Sequence, residues 1–306
     1  MRKCSFYFSC RSLCERRKMS KQRAMKNYEE LRFSDDFMFG KVMEDPELCR
    51  EVLECLLQEP VGELKEVQTQ REFRFTVDGK PIRLDVYNED SRGAIYDAEM
   101  ENLNRKTVDS HQLPKRSRYY QSSIDIDYMD HGKLYNNLPE STIMFICTFD
   151  PFGEELGRYT FRECCEEKPE LKLKDGTRKI FYNSCYEGND LPEELKKFYD
   201  YIEKDRVDSE LTRKIEDAVD KGRKNALWRT QYMKEWVVIQ DAREEGIEKG
   251  FELGIEKGIE QGISRRDQEK ISDMLRRGKT VEEIVDFCDY PYDLVKKIEA
   301  DLLIEA

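Results

Sequence analysis

The chain has 306 residues, of which 38% are hydrophobic and 39% are charged, and its formal net charge at pH 7 is −12. This length suffices for one large domain or two modest domains with a real core. The acidic balance argues against a protein that coats nucleic acid without specificity, although it is compatible with a local basic path beside an acidic site.

The ten cysteines and two histidines do not form a metal-binding pattern, because no CxxC pair occurs. This argues against a zinc site. No apolar run reaches the length of a membrane span, and the first residues lack the apolar core of a signal peptide. We therefore expect a cytoplasmic protein with reduced cysteines and no membrane partner.

The first part of the chain, residues 1–24, is basic. Residues 1–25 carry eight Lys or Arg against one acid, Glu15. We expect 1–24 to be a disordered extension, and the alternative is a basic arm that binds nucleic acid.

Two helices are predicted next. Ser34 is a candidate N-cap for the segment DDFMFGKVM, and Pro46 is suited to the first turn of a second helix, ELCREVLECLLQ. The segments EVQTQREFRFTV and KPIRLDVY, joined through Asp78 and Gly79, then predict a hairpin. A further strand, AIYDAEM, follows it.

Three acidic residues stand near the ends of these strands. Glu99 and Glu101 are two positions apart, so that strand alternation puts them on one face, and Asp85 can join them if the two strands pair. Three converging carboxylates repel one another unless a cation is bound, and oxygen ligands suit Mg²⁺ or Mn²⁺. The pattern predicts a divalent-metal site, and a solvated acidic face is the alternative.

An Asp, a hairpin, a Glu-x-(Lys or substitute) and a following helix resemble the core of PD-(D/E)XK nucleases. More narrowly, the chain is similar to the Rpn recombination-promoting nucleases, also called PD-(D/E)XK nuclease family transposases. The resemblance runs from about residue 28 to the end of the chain. The matching segments are FSDDFMFGKVM (33–43), LDVY (84–87), YDAEMEN (96–102), LPKRSRYYQSSID (113–125), TIMFICTFDPFG (142–153) and a glycine-periodic tail.

The resemblance implies roles for individual residues. Asp85 and Glu99 match the metal-binding acids, and Glu101 falls where many members carry Lys and this branch usually carries Gln. Glu101 cannot act as that cation, but it could ligate metal or accept a proton from water. A replacement cation could come from the next helix, where Lys115, Arg116 and Arg118 lie, and Lys115 or Arg116 is expected to offset the charge.

Two further roles remain open at this stage. Related nucleases often take an extra acid from the first helix, so Asp35 or Asp36 could approach the metal, with helix capping as the alternative. Arg116 is the first choice for contact with a phosphate, because a guanidinium can hold two phosphate oxygens. A salt bridge from Arg116 to Glu99, Glu101 or Asp125 is the alternative.

Beyond the helix that begins near Pro114, the segment STIMFICTFDPFG predicts a buried strand. GRYTFREC and RKIFYNSC predict shorter strands joined through Asp175 and Gly176, and residues 192–236 are expected to be helical. The order αβββαβ indicates an α/β fold.

The tail carries glycines at a period of four, each followed by an apolar residue: Gly246, Gly250, Gly254, Gly258 and Gly262. A bare glycine seam lets two helices approach closely, so we expect a homo-oligomer through this helix. A flexible linker is the alternative, since each interior glycine costs a helix about 1 kcal/mol.

The last segment resembles a helix-turn-helix. Gly278 is expected to end one helix, and Thr280 with Glu283 forms a capping box for the next. Asp286, Asp289 and Asp293 crowd the region that would read DNA, so a small packing module is favoured.

Together these patterns predict an α/β chain with a helical C-terminal extension, and the resemblance implies a PD-(D/E)XK restriction-endonuclease-like core (αβββαβ). The expected parts are 1–24, a nuclease-like domain at 25–205, helices at 206–240, the glycine helix at 241–263 and the small module at 264–306. The resemblance implies a Mg²⁺- or Mn²⁺-dependent DNA endonuclease. The alternatives are a family member impaired in catalysis that binds DNA or protein, and an oligomerisation protein.

Overall fold

The structure is a computed structural model that describes residues 25–73, 82–102, 112–129 and 134–304. It divides into two compact units, the first ending at Tyr232 and the second beginning at Met233. The predicted turn at Asp78 and Gly79 and the basic segment 1–24 lie outside the described residues.

The first unit combines helices with one large sheet. Its helices are α1 (Asp36–Met43), α2 (Pro46–Leu57), α3 (Gln112–Tyr128), α4 (Glu193–Lys204) and α5 (Glu210–Arg223). Its strands are β1 (Leu64–Phe73), β2 (Ile82–Asp90), β3 (Ile95–Glu101), β4 (Ser141–Cys147), β5 (Arg158–Phe161), β6 (Cys164–Cys165), β7 (Lys168–Lys172) and β8 (Thr177–Asn183).

Six of these strands form a mixed sheet in the order β1-β2-β3-β4-β8-β5. β1, β2 and β3 pair antiparallel, β3, β4 and β8 pair parallel, and β5 is antiparallel to β8. The expected α/β class is confirmed at this level. The sequence did not predict the separate hairpin of β6 and β7 that lies between β5 and β8, and Asp175 and Gly176 directly precede β8.

Helices cover both faces of the sheet, which is why every residue of β3 and β4 is buried. On one side, called the α1 face, side chains of α1, α2, α4 and α5 pack on the sheet, among them Phe39, Leu53, Phe198 and Ile215. On the other side, called the α3 face, α3 packs through Leu113, Tyr120 and Ile124.

Local chemistry explains where the first two helices begin. Pro46 opens α2 as expected, and the Asp45 carboxylate accepts the backbone N–H groups of Glu47 and Leu48. The expected cap of α1 is wrong by one residue. Asp35 takes the N-cap position, and Ser34 is buried instead.

In the second unit, α6 (Ala226–Arg276) continues from the first unit and contains the whole glycine-periodic segment, so this segment is helical. α7 (Val281–Cys288) and α8 (Tyr292–Ile304) follow and share a small core with the end of α6. Gly278 has a φ of +82°, and Thr280 and Glu283 form the expected capping box.

Candidate functional site

The predicted acids meet where β2 and β3 separate. The ladder between these strands runs from Glu89 and Ile95 to Val86 and Ala98. Beyond it, the Asp85 N–H donates to Oε1 of Glu99 at 2.8 Å, and the Met100 N–H donates to Oδ2 of Asp85 at 3.3 Å. Each carboxylate therefore accepts a hydrogen bond from a backbone N–H of the opposite strand, and the two side chains occupy the gap between the strands.

A third acid of β3 belongs to the same place. Asp97, Glu99 and Glu101 alternate along the strand, so they point to the α3 face, and their exposed fractions are 0%, 1% and 4%. Asp97 is not among the site residues expected from the sequence. The i, i+2 spacing that grouped Glu99 with Glu101 also includes Asp97, and that signal was present in YDAEMEN.

Arg116 of α3 reaches into this cluster. Its Nη2 donates to Oε2 of Glu99 at 2.7 Å, its Nη1 forms an ion pair with Glu101, and its Nε donates to the Tyr120 hydroxyl at 3.0 Å. The guanidinium lies 5.3 Å from the ring centre of Tyr120 and 5.1 Å from that of Phe145. Aromatic faces attract cations, so these rings help to fix the guanidinium.

Of the two cations expected to assist, Arg116 is the one that faces the acids, whereas its neighbour Lys115 is exposed. The predicted alternative for Arg116, a salt bridge to Glu99 or Glu101, is present with both partners. The structure therefore brings together Asp85, Glu99, Glu101 and Arg116 and leaves Lys115 at the surface.

The start of α1 is tied to the end of β3, because the Asn102 side chain donates to the Ser34 carbonyl at 3.0 Å. Burial is the main cause of the raised pKa of both Asp85 and Glu101, and the negative charge of Asp36 adds to it, so Asp36 is electrostatically coupled to the site. Asp35 instead accepts the Arg32 N–H and pairs with Lys26. Of the two acids considered, Asp36 is the one near the cluster.

Burial dominates the electrostatics of the cluster. Burial, with a smaller effect of Asp36, raises the pKa of Asp85 to about 7, and the Met100 N–H and Arg83 lower it in part. Burial and then the charge of Asp85 raise the pKa of both Asp97 and Glu99 well above the usual range. Burial also raises the pKa of Glu101, against the opposing effect of Arg116. The site therefore favours a bound proton or a further cation.

The Asp97 carboxyl is an orphaned polar group. Within the described ranges, neither of its oxygens accepts a hydrogen bond from an N–H or from a hydroxyl. It is within hydrogen-bonding reach of Glu99, and two carboxyls can bond only while one keeps its proton. An unsatisfied buried oxygen beside two other acids fits the all-oxygen ligand set of a hard divalent cation.

In the part of the chain that the structure describes, no group of three His, Cys, Asp or Glu side chains is arranged so that it could hold a metal ion. Both oxygens of Glu99 are already engaged, one by the Asp85 N–H and one by Arg116. The residue types fit a metal, and the Arg116 contact is what a metal would have to replace at Glu99.

Comparison with protein-family models, with curated proteins and with solved structures finds no match to this chain. The resemblance to Rpn nucleases therefore depends on the quoted segments alone. Among the described helices, none combines the length and the apolar character that a membrane span requires.

Proposed function

We propose that this chain is a Mg²⁺- or Mn²⁺-dependent DNA endonuclease with a PD-(D/E)XK core, related to the Rpn nucleases. The observation that supports this most is the convergence of Asp85 and Glu99 where β2 and β3 separate, with the buried Asp97 two residues before Glu99 on the same face of β3. The segments that resemble the family supply Asp85, Glu99 and Arg116 to this one place. The element order helix, three strands, helix, strand also agrees with such a core.

In this proposal Asp85 and Glu99 hold the metal, with Glu101 at its edge. A bound Mg²⁺ or Mn²⁺ would supply a water of lowered pKa and offset the charge of the phosphate. Glu101 orients Arg116 through their ion pair. Arg116 thereby provides the fixed positive charge that a Lys at position 101 would otherwise bring.

The DNA backbone would meet exposed cations beside the acids. Arg83 on β2 and Lys115 and Arg118 on α3 are exposed, and the positive charge of Arg83 lowers the pKa of Asp85. Phosphate contacts of this kind supply affinity without sequence information, which suits an acidic protein that uses one local basic path.

The first test is nicking of supercoiled plasmid by the full chain with Mg²⁺ or Mn²⁺. We expect Asp85→Asn and Glu99→Gln to abolish nicking while the fold is kept, because both changes preserve side-chain shape and remove a metal ligand. Glu89→Gln is the matched control, since Glu89 lies on β2, pairs with Lys65 and is remote from the gap. Nicking that persists in both site variants would refute the proposal.

A second candidate is a protein that keeps the fold but binds DNA or a partner without cutting. The observation that favours it is the Arg116 guanidinium, which forms ion pairs with both Glu99 and Glu101 and offsets part of their charge without any metal. Titration of the folded protein with Mn²⁺, followed by electron paramagnetic resonance, separates the two candidates. The nuclease requires binding that Asp85→Asn removes, and the second candidate predicts none at this site.

We also propose that a second copy of the chain packs against α6. Ile247, Phe251 and Ile255 are exposed, and a Cβ added at the glycine before each would meet no atom of the described residues within 4 Å other than its chain neighbours and the adjacent turns of its own helix backbone. Light scattering should therefore report a dimer that Phe251→Glu converts to a monomer. Gln268→Glu adds the same charge to an exposed position of α6 and should leave the dimer intact.

A further inference from the structure

One residue in the middle of a strand has a left-handed backbone. The described residues other than glycine that have a positive φ are Gln58, Gln70, Glu155, Lys174, Asp205 and Asp289. Gln58, Asp205 and Asp289 end helices, where this conformation is common, and Glu155 and Lys174 lie outside helices and strands. Gln70, with a φ of +55°, is inside β1. A left-handed residue inside a strand is unfavourable unless its surroundings require it.

Gln70 lies directly opposite Asp85. Thr69 pairs with Val86 and Arg71 pairs with Leu84, so the register is the same on both sides of this position. Gln70 and Asp85 are the two residues between these pairs, one on each strand. The irregularity of β1 is therefore located at the residue that faces a candidate metal ligand.

The alternation of side chains is broken at this position on β2. Leu84 packs in the core of the α3 face, whereas Val86, two residues later, packs in the core of the α1 face. In a regular strand, residues two apart point to the same side. The chain of β2 therefore rotates by about half a turn at Asp85.

β1 shows the same break at Gln70. The Thr69 hydroxyl donates to Glu44, which follows α1, while Arg71 lies 4.3 Å above the Tyr87 ring and pairs with Asp127 of α3. Thr69 and Arg71 thus point to opposite faces. The two strands therefore rotate at the same pair of residues. On β1 the rotation occurs at Gln70, the residue with the positive φ.

The rotation explains where the Asp85 carboxylate lies. Because Asp85 is at the point of rotation, its side chain enters the gap between β2 and β3, where Oδ2 accepts the Met100 N–H. A regular strand would direct residue 85 to one face of the sheet. The conformation of Gln70 is therefore coupled to the position of Asp85.

We propose that Gln70 is a positioning residue, whose left-handed backbone turns Asp85 into the gap between β2 and β3. The role belongs to the backbone, so glycine and asparagine, which tolerate this conformation, preserve it, whereas a β-branched residue does not. Only the effect on metal binding rests on the proposed function. The effect on Asp85 and Met100 does not require a metal.

The test is residue-resolved hydrogen exchange of the full chain without metal. We expect both Gln70→Val and Asp85→Ala to accelerate exchange of the Met100 amide by about tenfold, because in each variant the amide loses its carboxylate partner. Amides of β4 should exchange as in the unmodified protein. Gln70→Gly and Gln70→Asn should leave the Met100 amide protected.

Lys174→Val and Lys174→Gly are the matched controls, because Lys174 has a φ of +59° outside the sheet. They carry the same backbone changes and should not alter exchange at Met100. If the Gln70→Val protein does not fold, Gln70→Ala is used instead. We then expect the Met100 amide to exchange faster in the Gln70→Ala protein than in the Gln70→Gly protein. The proposal would be overturned if the Met100 amide stayed protected in a folded Gln70→Val protein. It would also be overturned if this amide were equally protected in the Gln70→Ala and Gln70→Gly proteins. Loss of protection in Gly would overturn it too, because the side chain would then be responsible.

A second measurement separates this proposal from the proposed function. Titrated with Mn²⁺, the Gln70→Val protein should bind about tenfold more weakly than the Gly variant, a loss typical of residues that orient metal ligands. Equal Mn²⁺ affinities would overturn the positioning role. If the unmodified protein binds no Mn²⁺ while the exchange pattern is as expected, the metal site fails and the positioning of Asp85 by Gln70 stands.

Discussion

Asp85 and Glu99 face each other across the gap at the end of the β2–β3 ladder, where the Asp85 N–H donates to Oε1 of Glu99 at 2.8 Å. The Glu99 carboxylate thus replaces a backbone carbonyl as the acceptor of a strand amide. Asp85 does the same for Met100 on the other strand. The carboxylates of the candidate site are therefore part of the sheet's own hydrogen bonding, and changes in their charge should affect stability as well as metal binding.

Replacing Asp97 with Asn should stabilise the metal-free protein above neutral pH. Burial holds the pKa of Asp97 well above its usual range, so the unfolded chain ionises while the folded chain keeps the proton. Between the pKa of Asp97 in the unfolded chain and its pKa in the folded protein, each pH unit lowers the stability by about 1.4 kcal/mol. The amide of Asn does not ionise, so the variant avoids this loss. Urea unfolding at pH 5 and pH 8 should show a larger gain at pH 8. An Asn variant that is less stable at pH 8 would contradict this.

The metal-free protein should lose stability as the pH rises toward 7. The pKa of Asp85 is raised to about 7 by burial and by Asp36, whereas an unfolded Asp titrates near 4. Between these values the unfolded state has lost the proton that the folded state retains, so unfolding becomes easier with rising pH, and the full penalty applies above the folded pKa.

Mn²⁺ should reverse that trend if Asp85 is a ligand, because a metal binds the ionised form. We expect the increase in melting temperature caused by Mn²⁺ to be larger at pH 8 than at pH 5.5. Asp85→Asn serves as the control and should remove most of this dependence. An increase that is the same at both pH values would argue against metal binding by this carboxyl.

Arg116→Ala should destabilise the protein by about 2 kcal/mol or more, because it leaves two buried carboxyls without their cation. Solvent screens part of this interaction, because a third of the Arg116 side chain is exposed. Lys115→Ala, at the exposed neighbouring position, should change stability by less than about 0.5 kcal/mol. Equal effects of the two substitutions in urea unfolding would contradict the assigned contact.

Glu101→Gln tests whether nicking depends on the negative charge at position 101. The amide removes one negative charge but can still accept a hydrogen bond from Arg116, which keeps its contact with Glu99. We expect plasmid nicking within about threefold of the unmodified chain, because Glu101 acts through Arg116 in the proposed mechanism. Glu101→Ala should instead remove the partner that orients Arg116 and lower nicking by more than about tenfold. Equal nicking by the Gln and Ala variants would contradict this role.

The sequence by itself determined the local features. Pro46 opens α2, and Thr280 with Glu283 caps α7, because these effects act within one helical turn. Strand alternation was also sufficient to place Glu99 and Glu101 on one face, since it depends only on backbone geometry.

Only the tertiary structure decided which residues meet at the site. Whether Asp35 or Asp36 lies near Asp85, and whether Lys115 or Arg116 faces the acids, depends on how α1 and α3 dock on the sheet. The joint rotation of Gln70 and Asp85 depends on the pairing of β1 with β2. These relationships connect residues far apart in sequence through packing and register, and no local propensity contains them.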